Sequence, residues 1–179
     1  MLTCSLFLAF NFAQAQVESG SFFINGNSSG IKFGSESLEI DNSNQEFDSS
    51  EFEFDVAAGY TVIDNLVAAL RLYVLSGESG GSDYSTFAIG PMARYYFLPD
   101  NNFKPFGEIA ILFGNIENGN TDRSLFLAQF NAGGEYFITN SFSMGAKLGV
   151  GFGNSEVENS STDISVFQFS FGLGFSIFL

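Results

Sequence analysis

The sequence contains no histidine and no tryptophan, one cysteine, three prolines and only six lysines and arginines in 179 residues. Each shortage removes a class of function. Without histidine, neither a Ser-His-Asp nor a Cys-His arrangement can be assembled. The usual zinc sites also lose a main ligand. The net charge is −14 and the six bases are scattered, so the clustered Lys and Arg that nucleic-acid phosphates require are missing. No stretch approaches the eighteen or more apolar residues of a membrane-spanning helix. Yet 45% of the residues are hydrophobic and 24 are phenylalanine. Such a chain can cross lipid only as strands. Those strands must close into a barrel, because an open edge leaves backbone N–H and C=O groups unpaired in hydrocarbon.

The first residues read as a leader. Leu2 to Phe12 is mostly apolar, and Ala13-Gln14-Ala15 fits an A-x-A cleavage site. Residues 1–15 are therefore expected to be a signal peptide and the mature chain to start at Gln16. No basic residue precedes the apolar core, which leaves the true start of the leader open upstream. The competing reading is a first buried strand. Cys4 lies inside the leader, so the mature chain is expected to have neither disulfide nor thiol chemistry.

Eight segments of period-two alternation follow. The last is the clearest. Phe167, Phe169, Phe171, Leu173, Phe175, Ile177 and Leu179 alternate with Gln168, Ser170, Gly172, Gly174 and Ser176, and Phe178 ends the second face. Similar patterns surround Phe52–Val62, Leu66–Val74, Phe87–Tyr95, Phe126–Ile138 and Phe142–Phe152. The segment near Phe103–Asn115 is less regular. The first, about Ser21 to Phe33, loses its phase at Gly and Ser, as a bulge would make it do. Eight strands of roughly ten residues or more suffice to cross a bilayer at a tilt. The expected fold is all-β, an eight-stranded antiparallel up-and-down transmembrane β-barrel over residues 16–179.

The connections alternate in length. Asp64-Asn65, Pro99–Asn102 and Thr139–Ser141 are short. Gly34–Ser50, Ser76–Asp83, Asn115–Ser124 and Asn154–Asp163 are longer, polar and acidic, and are expected to be loops. Short periplasmic turns and long extracellular loops are the outer-membrane arrangement. A soluble β-sandwich also has alternating strands, but its apolar face points inward and its charges outward.

The charges favour the barrel. Glu53, Asp55, Glu108 and Glu135 share the polar face with Arg71, Arg94, Lys104 and Lys147. This face is balanced in a strongly acidic chain, while most other acids fall in the long connections. The interior of an eight-stranded barrel is just wide enough to be filled by side chains, and charges there must be paired. These eight residues are the expected interior network. Tyr60, Tyr95 and Tyr136 sit on the apolar face, three or four residues before a short turn. They form the expected periplasmic aromatic girdle. General strand propensity for Tyr is the competing explanation.

Catalytic motifs are weak. Glu53 and Asp55 are carboxylates two apart on one strand face, which fits an ion-pair lattice better than acid–base work. Gly149, Gly151 and Gly153 lack the spacing and the helix of a dinucleotide loop, and inward glycines relieve crowding in a narrow barrel. Asp41-Asn42-Ser43-Asn44 lacks the Gly and terminal Glu of an EF-hand. Weak binding of divalent cations by the acidic loops is the one metal expectation, and no cofactor is expected.

Gly59-Tyr60 with Val62 and Asp64-Asn65-Leu66, and again Glu135-Tyr136-Phe137-Ile138-Thr139-Asn140-Ser141-Phe142, resemble the strand–turn–strand hairpins of the OmpA/OmpX-like small outer-membrane barrels. Lys104-Pro105-Phe106-Gly107 resembles the start of a central strand in that family. The ending, with Gly174, Ile177, Phe178 and Leu179, is similar to its C-terminal assembly signal. The resemblance spans the mature chain. It implies location in the cell outer membrane, contact with its lipid and lipopolysaccharide, engagement by the outer-membrane assembly machinery and a monomeric state. It further implies a non-catalytic, structural or surface-interaction role through long acidic extracellular loops, with a narrow porin-like channel or small-ligand transporter as the alternative.

Overall fold

The computed structural model describes residues 17–34, 50–79, 82–98, 102–118, 121–157 and 163–179. The proposed signal peptide and the connection 35–49 lie outside the described residues. The strands are β1 (Phe22–Gly34), β2 (Ser50–Ile63), β3 (Leu66–Ser79), β4 (Ser82–Tyr96), β5 (Phe103–Asn118), β6 (Thr121–Thr139), β7 (Phe142–Val157) and β8 (Asp163–Phe178). Each pairs antiparallel with its chain neighbour, and β1 pairs with β8 to close the barrel. Closure satisfies the backbone around the wall, with β1 meeting β2 from Phe22 to Asn27.

Alternation sets the two faces. Along β5, Phe106, Glu108, Ala110 and Leu112 are buried, whereas Ile109, Ile111 and Phe113 are exposed. The exposed set across the barrel includes Phe54, Leu70, Phe87, Phe130, Leu148 and Phe167. Arg71, Arg94, Glu108 and Glu135 are buried inside. A soluble sheet would reverse this, so the outer wall is a lipid-facing belt.

Two of the short turns share a register shift. Asn65 adopts a left-handed φ of 67°, a conformation its short polar side chain tolerates. The β2–β3 register shifts between Thr61 and Ile63, and the β6–β7 register shifts between Phe137 and Thr139. The two hairpins that look alike in sequence thus share a bulge at the same place. In β1, the register against β8 shifts between Ser28 and Ile31, where the alternation loses phase.

The longer connections differ from expectation. Ser76–Asp83 and Asn115–Ser124 are largely strand, with pairing continuing to Ser79↔Ser82 and Asn118↔Thr121. The β7–β8 ladder likewise runs to Glu156↔Asp163. The first two are tall hairpins, whereas residues 158–162 of the third lie outside the described residues. Ser, Asn, Gly and acids disfavour strands intrinsically, but pairing with a neighbour overrides so weak a preference. The nineteen residues of β6, at about 3.3 Å each, make a strand about 60 Å long. That is well beyond the roughly 9–11 residues of a bilayer crossing, so the barrel wall projects past the membrane.

Candidate functional site

The interior is the candidate site, because the alternation of all eight strands directs polar chemistry there. At its centre Arg94 of β4 is fully buried. Its Nε donates to Glu108 Oε2 at 2.8 Å and its Nη1 donates to Glu135 Oε1 at 2.6 Å. Nη1 also reaches Ser176 Oγ at 3.3 Å, and Nη2 reaches Asn25 Oδ1 at 3.3 Å. The guanidinium lies 4.3 Å from the Phe106 ring centroid, within cation–π range.

Glu135 has no free oxygen. Ser176 Oγ donates to Oε1 at 2.8 Å, while Ser143 Oγ and Tyr96 Oη donate to Oε2 at 2.7 and 3.0 Å. The second oxygen of Glu108 accepts from Asn131 Nδ2 at 2.9 Å and lies 3.6 Å from both Arg71 Nη1 and Lys147 Nζ. Arg71 grips Asp55 with two parallel bonds of 2.8 and 2.7 Å and donates to Gln129 Oε1 at 2.7 Å. Lys147 Nζ is also 3.8 Å from Asp55 Oδ2. It is buried and makes no hydrogen bond within the described residues, so it acts as a point charge between two carboxylates.

Six of the eight residues expected in the interior are therefore linked: Asp55, Arg71, Arg94, Glu108, Glu135 and Lys147. Three bases meet three acids. Lys104 is also buried, directly across the β5–β6 ladder from Glu135, with its ammonium 5.3 Å from the Phe137 ring centroid. Glu53 lies in β2 opposite Leu75, and its side chain falls outside the described residues.

Sequence reasoning missed the layer beneath. Phe23, Tyr96, Phe106, Phe137 and Phe178 are buried at the short-turn end. Phe178 packs on Phe137 and Phe23 with centroids 5.7 and 5.3 Å apart. Val17 joins this cluster. Its segment is tied down by Asn65 N donating to Val17 O at 2.8 Å and Ser19 N donating to Asp64 Oδ1 at 3.0 Å. One signal was present: Phe23, Tyr96, Phe137 and Phe178 each occupy the inward position nearest a short-turn strand end. Tyr96 joins the two layers by donating to Glu135. The polar partners Asn25, Gln129, Asn131, Ser143 and Ser176 were also not singled out by their sequence pattern.

On the outer wall, Tyr60, Tyr95 and Tyr136 are exposed near the short turns. Tyr60 packs edge-on against Phe22, Tyr95 against Phe97, and Tyr136 lies directly across the ladder from Phe103. The four C-terminal positions separate. Gly174 faces inward against Asn27, Ile177 pairs with Phe142 and Ile24, Phe178 belongs to the aromatic layer, and Leu179 stays exposed while exchanging backbone hydrogen bonds with Phe22.

No known family's sequence profile matches the chain, and no curated protein matches it in sequence. Solved structures do match. Neisserial surface protein A is 15% identical, with 87% of this chain and 96% of that one covered and a TM-score of 0.57. The N-terminal β-barrel domain of Pseudomonas aeruginosa OprF is 15% identical over 90% of this chain and 98% of that one, with a TM-score of 0.54. The Pseudomonas aeruginosa outer membrane protein OprG is 12% identical over 90% and 97%, with a TM-score of 0.54. At these identities the likeness is one of fold, and that fold is the small eight-stranded outer-membrane barrel.

Proposed function

We propose that this chain is an integral, non-catalytic protein of the outer membrane whose barrel is a sealed stave and whose projecting hairpins carry its interactions. The observation that carries this reading is the filled interior. The linked set from Asp55 to Glu135 crosses the barrel, and the aromatic layer of Phe23, Tyr96, Phe106, Phe137 and Phe178 lies across its short-turn end. Buried charges held this way resist a permeating ion, which would have to break several charge-assisted bonds at once.

A non-catalytic role is supported by the same geometry. The oxygens of Glu108 and Glu135 are engaged by bases and hydrogen-bond donors, so neither acid is placed to exchange a proton with a substrate. The chain also contains no histidine. Its partners in this reading are lipid and lipopolysaccharide at the belt and the assembly machinery at β8. The acidic hairpins would attract divalent cations only weakly, and the protein would act as a monomer. The direct test is conductance across a planar lipid bilayer. Purified barrel is expected to give no reproducible unitary steps. Steps of constant size, abolished by widening a side chain at Gln129, would instead make the protein a narrow channel.

A further inference from the structure

One part of the lipid-facing wall is hollow. A groove of about 570 Å³ opens on β5–β8, lined by Phe103, Gly134, Tyr136, Met144, Ala146 and Leu173 among others. The register explains it. Gly134 pairs with Ala146, and Ala146 with Leu173. The next row toward the short turns is Phe103, Tyr136, Met144 and Phe175. Ala146 forms the floor, and long side chains on the adjoining row form a wall. Phe103, Tyr136, Met144 and Leu173 are each more than half exposed, so the wall stands free of the barrel surface. The ring of Phe103 overhangs Gly134.

We propose that this groove is a seat for one acyl chain of a phospholipid, held at the barrel while the surrounding lipid exchanges. The inference rests on the reading of the chain as a membrane barrel. The groove is continuous with the lipid-facing belt, so hydrocarbon is the medium that covers it. Its lining is almost wholly apolar, and the lining residues include no charged side chain. It therefore accepts a chain and makes no demand on a headgroup. Tyr136 stands at the short-turn end of the groove, and interfacial Tyr marks the level where headgroups begin. The volume is that of a typical small-molecule site. A flat apolar wall offers a chain contact on one side only. A groove contacts it on several sides, and each added contact slows its departure.

The test uses the full chain folded into vesicles of phosphatidylcholine and phosphatidylethanolamine, then extracted in mild detergent. Phospholipid phosphorus is measured per chain, and migration of unboiled sample on a gel reports the closed barrel. Wild type is expected to retain a single phospholipid. Ala146→Phe is expected to lose it, and the milder Ala146→Leu to retain less than wild type. Ala68→Phe, on the opposite wall at β3, is expected to retain it. Closed barrels that hold no lipid in wild type, or equal lipid in Ala146→Phe, overturn the seat but leave the membrane barrel standing. A wild-type dimer that Ala146→Phe splits would assign the groove to a second copy and also overturn it. An unclosed barrel in wild type would instead sink the membrane reading itself.

Discussion

Arg71 holds Asp55 through both arms of its guanidinium, Nε to Oδ1 at 2.8 Å and Nη2 to Oδ2 at 2.7 Å, with both side chains buried. The paired fork fixes both geometry and charge. Asp55→Ala strands the guanidinium beside Lys147 and is expected to destabilise the barrel by roughly 3–5 kcal/mol. Replacing both partners, as Asp55→Leu with Arg71→Met, is expected to recover most of that loss, because no charge is left unpaired. Urea unfolding in lipid vesicles, followed by circular dichroism, measures both. A double variant as unstable as the single one would mean that the pair contributes more than mutual neutralisation.

Position along the barrel should matter as much as charge. Arg94→Ala leaves Glu108 and Glu135 without their common partner, and is expected to cost roughly 3–5 kcal/mol. Glu156 is exposed on the β7–β8 hairpin, and Glu156→Ala is expected to fall within roughly 0–1 kcal/mol of wild type. Equal losses in the same unfolding assay would show that water reaches Arg94, which would favour a channel.

The parity of the strands made this network legible. On an alternating strand a charge flanked by apolar residues faces away from them, so Asp55, Arg71, Glu108 and Lys147 were assignable to the inner face without coordinates. Which acid meets which base was not, because Arg94 reaches Glu135 across β5, and that depends on barrel tilt. The aromatic layer escaped for a different reason. Phe23 and Phe178 are apolar residues on the polar face, which the sequence presents as breaks in the alternation. The tall hairpins escaped because Ser, Asn and acids signal turns locally, while the ladder from Asn115↔Ser124 to Asn118↔Thr121 is decided by the pairing of whole strands.

Closure by β1 and β8 has a simple consequence. Toward the short turns every strand is paired on both sides, β1 to β2 from Phe22 to Asn27 and to β8 from Phe23 on, so local opening there must break two ladders at once. The protein is expected to migrate differently on cold detergent gels before and after boiling. Identical migration of membrane-extracted samples would contradict closure.

The two faces of β7 supply the most discriminating comparison. Leu148 is exposed on the outer wall, and its neighbour Gly149 is buried on the inner one. Lipid is fluid and accommodates any apolar shape, so Leu148→Phe is expected to change stability by no more than about 0.5 kcal/mol. A close-packed sandwich core would resist the same change by roughly 1–3 kcal/mol. At Gly149 the expectation reverses. A Cβ there would sit 1.9 Å from Asn131 Oδ1 and 2.8 Å from Ser170 Oγ. Asn131 cannot swing away freely, because its Nδ2 donates to Glu108. Gly149→Leu therefore presses on the ion network itself and is expected to destabilise by at least the roughly 1–3 kcal/mol of core overpacking. Gly149→Ala is expected to show a smaller loss in the same direction. Unfolding of both variants beside Leu148→Phe decides the matter: a costly Leu148→Phe with a harmless Gly149→Leu would turn the barrel inside out.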